Sequence, residues 1–163
     1  MRKLNESELL ETNPEELVAD WFKNDKNNPL ILTSYQQKQL KQLIQALFQK
    51  KRSKFAFVQA TRSGKSELLA CFIALVLIFR PNEKIACISY TAEQSSIIFE
   101  RVKAHLIADN GEIRALVNLD RSMISRKEFS KTRFFMKNDS ELRSFSTGKG
   151  ETEMTAESLL GFG

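Results

Sequence analysis

Acid is missing from a long stretch of this chain. From Lys26 to Ser66 there are nine basic residues (Lys26, Lys38, Lys41, Lys50, Lys51, Arg52, Lys54, Arg62, Lys65) and no Asp or Glu. A further basic stretch holds Arg121, Arg126, Lys127, Lys131 and Arg133, within a net charge of +5. Two readings stay open for these patches, a solvated face or a surface for a polyanion such as DNA. Cysteine is scarce, which excludes a disulfide framework. Cys71 and Cys87 fall on a predicted core helix and strand, so buried reduced thiols and a cytoplasmic compartment are expected. Long hydrophobic runs are lacking too. The longest, residues 68–79, falls short of the roughly 20 residues a membrane helix needs. Residues 1–11 are charged and have no apolar core, which excludes a signal peptide. Internal repeats and low-complexity segments are absent as well.

What is present suits one globular domain. With 163 residues, 42% hydrophobic and 28% charged, the chain can bury a real core. Its most informative part is Phe55-Ala56-Phe57-Val58-Gln59-Ala60-Thr61-Arg62-Ser63-Gly64-Lys65-Ser66. A short apolar strand is predicted at 55–58, then a small polar loop, then a helix at once. That order is the strand, loop and helix of a P-loop, in which backbone N–H groups and a helix N-terminus converge on a phosphate. Lys65 is placed to neutralise the β- and γ-phosphates, and the Ser66 hydroxyl to ligate Mg²⁺. Gln59 stands where the first glycine of the motif usually lies. A Gly-Lys-Ser tripeptide alone could be an ordinary helix start; the strand before and the apolar helix after favour the phosphate loop.

Around this loop the pattern alternates helix and strand. Asn13-Pro14-Glu15-Glu16 predicts a capped helix start, with Leu17, Val18, Trp21 and Phe22 on one stripe that packs on the domain. A second helix carries Leu40, Leu43, Ile44, Leu47 and Phe48 at helical spacing. The run 68–79 predicts a helix buried on all sides. Pro81 ends it, and 84–90 reads as a strand inside a parallel sheet because its apolarity is nearly continuous. A helix over 92–108 is expected to turn Ile97, Ile98, Val102 and Leu106 inward and to leave His105 on the surface. Residues 133–136 and 141–145, around Lys137-Asn138-Asp139-Ser140, predict a hairpin, or two adjacent strands with a short connection. The expected fold class is α/β, a three-layer P-loop NTPase of the RecA-like (ASCE) type with a largely parallel sheet, incomplete. An N-terminal helical segment, 1–29, precedes the P-loop domain at 30–163.

Several of these stretches together resemble the ATPase domain of viral large terminase subunits. Tyr35-Gln36 is similar to the adenine-recognition element of terminases and DEAD-like helicases, which implies adenine contact by both side chains. Ala60-Thr61-Arg62-Ser63-Gly64-Lys65-Ser66 resembles the helicase loop Ala-Thr-Gly-Ser-Gly-Lys-Thr with Arg62 in place of a glycine. It also resembles the terminase loop, where an arginine usually lies four residues before the lysine; Arg62 lies three before Lys65. The resemblance implies ATP and Mg²⁺ as cofactors, with Tyr35, Gln36, Thr61, Arg62, Ser63, Gly64, Lys65 and Ser66 around the nucleotide. Lys65 and Arg62 are then the catalytic cations, since a guanidinium stabilises charge on a transferring phosphoryl group. Phe79-Arg80-Pro81-Asn82-Glu83-Lys84-Ile85, Ser89-Tyr90-Thr91-Ala92-Glu93-Gln94, Asn138-Asp139-Ser140-Glu141-Leu142-Arg143 and Glu157-Ser158-Leu159-Leu160-Gly161-Phe162-Gly163 match the order of weaker family segments.

The same resemblance implies ATP hydrolysis driving double-stranded DNA into a procapsid. It also implies a portal and small terminase subunit as partners, a possible ring of subunits, no membrane and the host cytoplasm. A P-loop ATPase also needs an apolar strand ending in Asp, usually followed by Glu. No such run follows the loop: Asp109, Asp120 and Asp139 fall in predicted helix ends or turns. The resemblance therefore implies the front part of a motor, with doubtful turnover by itself. Two other readings remain. One is a DEAD-like helicase or translocase fragment. The other is a non-catalytic nucleic-acid or assembly module with a degenerate P-loop.

Overall fold

The structure, a computed structural model, describes residues 13–24, 26–48, 54–56, 58, 60, 62–108, 111–125 and 128–148. Helix α1 (Pro14–Trp21) begins at a proline whose φ is already helical and whose missing N–H costs no hydrogen bond there. Asn13 stands at the cap position without capping: its Nδ2 donates to Glu15 Oε1 at 2.8 Å. Leu17, Val18 and Phe22 are buried, and Trp21 stacks flat on Phe79 with ring centroids 5.3 Å apart. Helix α2 (Ser34–Phe48) buries Leu40, Leu43 and Ile44 on one face, as their spacing predicts.

Helix α3 (Lys65–Phe79) is apolar all round because it is covered on two sides. It packs against α2 and against α4 (Ala92–Ile107). Leu68, Leu75 and Leu77 sit deep in one core that also takes Val18 and Phe22 from α1. The last turn of α3 is tied down by Asn138, whose Nδ2 donates to Leu77 O at 2.9 Å and Arg80 O at 3.2 Å. Those carbonyls have no partner within the helix, so the amide replaces water there.

The sequence then forms β1 (Lys84–Ser89), α4, and two short helices, α5 (Gly111–Arg114) and α6 (Leu119–Ser122). Four strands follow: β2 (Met123–Ser125), β3 (Glu128–Phe129), β4 (Arg133–Phe135) and β5 (Glu141–Ser146). β1 pairs in parallel with β5, Ile85 opposite Leu142 and Cys87 opposite Ser144. β4 pairs antiparallel with β5, with Phe134 opposite Leu142, as the polar turn at 137–140 predicts. The sheet order is β1-β5-β4, and β2 and β3 make a separate two-stranded ribbon. α4 packs on β1 and β5.

The fold is therefore mixed α/β, and it differs from expectation in four places. The sheet among the described residues is small and mixed rather than largely parallel, with β1 at its edge and Ile88 48% exposed. Apolarity alone does not tell an interior strand from an edge strand; pairing does. The strand predicted at 55–58 is not formed by residues 54–56, 58 and 60, and Val58 is 96% exposed. A strand persists only where a neighbouring strand takes its N–H and C=O groups, and no strand pairing among the described residues includes this segment. On α4 the inward stripe runs through Ser95, Phe99, Val102, His105 and Leu106, so Ile97 is half exposed and Phe99 takes the core position. His105 is buried rather than on the surface. Among the described residues, no helix is long and apolar enough to cross a membrane.

Candidate phosphate-binding loop

The loop expected to hold a phosphate opens directly onto α3. Gly64 is the N-cap residue, at φ 79° and ψ 16°, the left-handed region that glycine enters without strain. Two residues earlier Arg62 is also left-handed, at φ 63°. This is the position where the resembling helicase loop carries a glycine. Backbone polar groups close the turn: Ser63 N–H donates to Ala60 O at 3.4 Å and Leu68 N–H to Gly64 O at 3.0 Å. Lys65 folds back over it, its ammonium donating to Ala60 O at 2.6 Å. The cationic group thus lies over the loop it belongs to, held by a carbonyl oxygen.

Gln36, from the first turn of α2, reaches the same loop. Its Nε2 donates to Ser63 O at 3.4 Å, while its Oε1 accepts from Thr33 N–H at 2.9 Å and Thr33 Oγ1 at 3.0 Å. A Cβ built on Gly64 would come within 2.3 Å of Gln36 Nε2, so the glycine is needed for close approach as well as for φ. Tyr35, beside Gln36, is 58% exposed. Contact between Gln36 and an adenine edge would require release of Thr33 or Ser63. Arg62 and Ser63 are exposed, and Ser66 is half buried in the first turn of α3. Thr61 lies outside the described residues, as do Gln59, the basic residues at 50–52 and 126–127, and the tail from 149 to 163.

The loop's electrostatics favour an anion. A helix of this length carries about half a positive charge at its N-terminus. Arg62 and Lys65 add to it. Glu67, the one acid of the first turn, is committed elsewhere: one carboxylate oxygen pairs with Arg101 and the other lies 2.8 Å from His105 Nε2. The His105 hydrogen bond holds the Glu67 carboxyl below its ordinary range, against the opposing effect of burial, with Arg101 adding to the shift. Burial, reinforced by the Glu67 charge, pushes the neighbouring Cys71 thiol up, and burial pushes Cys87 up to about 11. Both thiols are free and buried, as expected.

Sequence reasoning brought Tyr35, Gln36 and the loop together, and the structure places Gln36 on it. Thr91 caps α4, its Oγ1 accepting from Gln94 N–H at 3.2 Å. The group that reasoning missed is Glu67, Cys71, Arg101 and His105. Its signal was there, since Glu67 and Cys71 are four residues apart on one helix and His105 continues the Phe99–Val102 stripe of another.

The fold and loop define a mixed α/β domain with a glycine-lysine turn at the head of a buried helix. The crystal structure of the HK97 bacteriophage large terminase is similar in fold, with a TM-score of 0.63 and 16% sequence identity. The likeness covers 88% of this chain and 28% of that one, so the chain spans less than a third of the terminase's length. No protein-family model matches the chain, and no curated protein matches it.

Proposed function

We propose that this chain is the nucleotide-binding part of a large-terminase-type DNA-packaging ATPase, a P-loop NTPase that binds ATP and Mg²⁺. The observation that carries this reading is the turn at 60–66. It pairs a left-handed Gly64 at a helix N-terminus with Lys65 at the first helical position and Gln36 braced across it. The donor set fits a triphosphate: a lysine ammonium, an exposed arginine, a serine hydroxyl and the amides that open α3. On binding, Lys65 exchanges the Ala60 carbonyl for phosphate oxygens, and Ser66 would hold Mg²⁺, which neutralises phosphate charge. Arg62, which is exposed, would supply a guanidinium to the terminal phosphate. Glu67 takes no part, because Arg101 and His105 already engage both its oxygens. Hydrolysis, translocation of double-stranded DNA, and contacts with a portal and small subunit belong to the same proposal for the whole protein.

Calorimetric titration with ATP–Mg²⁺ tests it. A charge-assisted contact of about 1.5–3 kcal/mol predicts that Lys65→Ala weakens binding by roughly 10- to 150-fold. Equal affinities for wild type and Lys65→Ala remove the phosphate-loop reading. A second reading, a non-catalytic nucleic-acid module, draws support from exposed Lys38, Lys54 and Arg62 on an acid-free stretch. It predicts salt-sensitive DNA binding with no nucleotide dependence.

A further inference from the structure

α3 and α4 pack along one another, and three ligand-bearing side chains meet in the seam. Glu67 and Cys71 are four residues apart on α3 and so lie on one face of it. His105 comes across from α4. Its Nε2 lies 2.8 Å from Glu67 Oε1 and 3.9 Å from Cys71 Sγ, and the three ligand atoms fall within 4.8 Å of one another. A tetrahedral ion with bonds of about 2.3 Å to sulfur and 2.0–2.1 Å to nitrogen and oxygen needs S···N and N···O separations of about 3.5 and 3.4 Å. The N···O and S···N separations lie about half an ångström from those values, and the sulfur and the carboxylate oxygen, within 4.8 Å of each other, close by up to about 1.3 Å to complete the set.

We propose that Glu67 Oε1, Cys71 Sγ and His105 Nε2 form a site for a zinc-class divalent cation, with a water as fourth ligand. The mixed sulfur, nitrogen and oxygen donors suit zinc and its spectroscopic substitute cobalt, and the thiolate disfavours the hard cation Mg²⁺. The ion takes the place now held by the hydrogen bond between Glu67 and His105, and the Cys71 thiol gives its proton to solvent. The two resulting anionic ligands balance a divalent charge. The ligands are already oriented by their neighbours. Arg101 pairs with the other Glu67 oxygen, and the Phe22 ring packs on the imidazole with centroids 4.7 Å apart. A cavity of about 620 Å³ reaches two of the three ligands, Glu67 and His105, with Arg101, Lys23 and Asn24 also in its wall, whereas Cys71 is fully buried. Bound there, the ion pins the first turn of α3 to α4.

The test is Co²⁺ titration of the reduced, chelator-stripped chain, followed by Zn²⁺ competition. The expected result is one equivalent of Co²⁺ with tetrahedral visible bands and a thiolate-to-cobalt charge-transfer band, both bleached by Zn²⁺. Cys87→Ser keeps the band, Cys71→Ala loses it, and His105→Gln weakens binding at least about tenfold. Absence of the charge-transfer band in wild type, or its persistence in folded Cys71→Ala, overturns the assignment. Should Cys71→Ala not fold, Cys87→Ser decides: a retained band supports the site and a lost band overturns it. The readout needs no nucleotide, so failure of ATP binding leaves it intact, and failure of cobalt binding leaves the phosphate loop intact.

Discussion

Replacing Gly64 with alanine probes the loop at its most constrained point. The residue sits at φ 79°, where a side-chain-bearing residue costs about 1–2 kcal/mol. The new Cβ would lie 2.3 Å from Gln36 Nε2, so Gln36 must swing away and lose its bond to Ser63 O. That exposed bond contributes about 0.5 kcal/mol, the low end for a hydrogen bond. Against these, alanine narrows the unfolded ensemble and returns about 0.4–1 kcal/mol. The net is a loss of about 1 kcal/mol, or a melting temperature lower by about 2–4 °C. Urea unfolding followed by circular dichroism measures it. Gly111→Ala is the control, since a Cβ there meets nothing within 4 Å and no positive φ constrains it; it is expected to be neutral or mildly stabilising. In Gly64→Ala combined with Gln36→Ala the clash is gone, so the double variant loses less than the two single losses added, by about 0.5 kcal/mol. If Gly64→Ala behaves like Gly111→Ala, the left-handed turn and the Gln36 brace are both refuted.

Other expectations concern the frame that holds the loop. Ser122 is fully buried, and its Oγ donates to Phe135 O at 3.1 Å and accepts from Phe135 N–H at 2.9 Å. Ser122→Ala strands the Phe135 N–H, while Phe135 O keeps its bond from Asn118 N–H at 2.9 Å; the loss should be about 1–3 kcal/mol in the same assay, whereas a loss under about 0.5 kcal/mol would contradict the bridge. Asn138→Ala frees the Leu77 carbonyl, while Arg80 O keeps its bond from Ser140 Oγ at 2.8 Å; it should destabilise by about 1–2 kcal/mol, and hydrogen exchange should show the last turn of α3 opening first. Phe99→Ala empties a fully buried ring position between α4 and the core, with an expected loss of about 3–5 kcal/mol; near-neutral behaviour would place Ile97 inward instead.

Local signals were legible where one helix face or one turn decides the outcome. Pro14 starts α1, the Leu40–Ile44 spacing buries one face of α2, and the polar residues at 137–140 turn β4 into β5. The Gly64-Lys65 turn was equally readable, because a left-handed cap and a lysine at a helix N-terminus are properties of adjacent residues. The Asn13 cap was misread: its side chain turns to Glu15, since side chains in a first turn compete for the same partner.

The chain's own order of residues was enough to determine its four longer helices, its strand-turn-strand segment and the Gly64-Lys65 turn, since each depends on neighbours within a few residues. Whether residues 54–56, 58 and 60 join a sheet, which strand stands at the edge, and which side of α4 faces inward were decided by partners tens of residues away. So was the meeting of Glu67, Cys71 and His105. Those pairings depend on how α3 is enclosed by α2 and α4, a packing choice that no short window of sequence encodes.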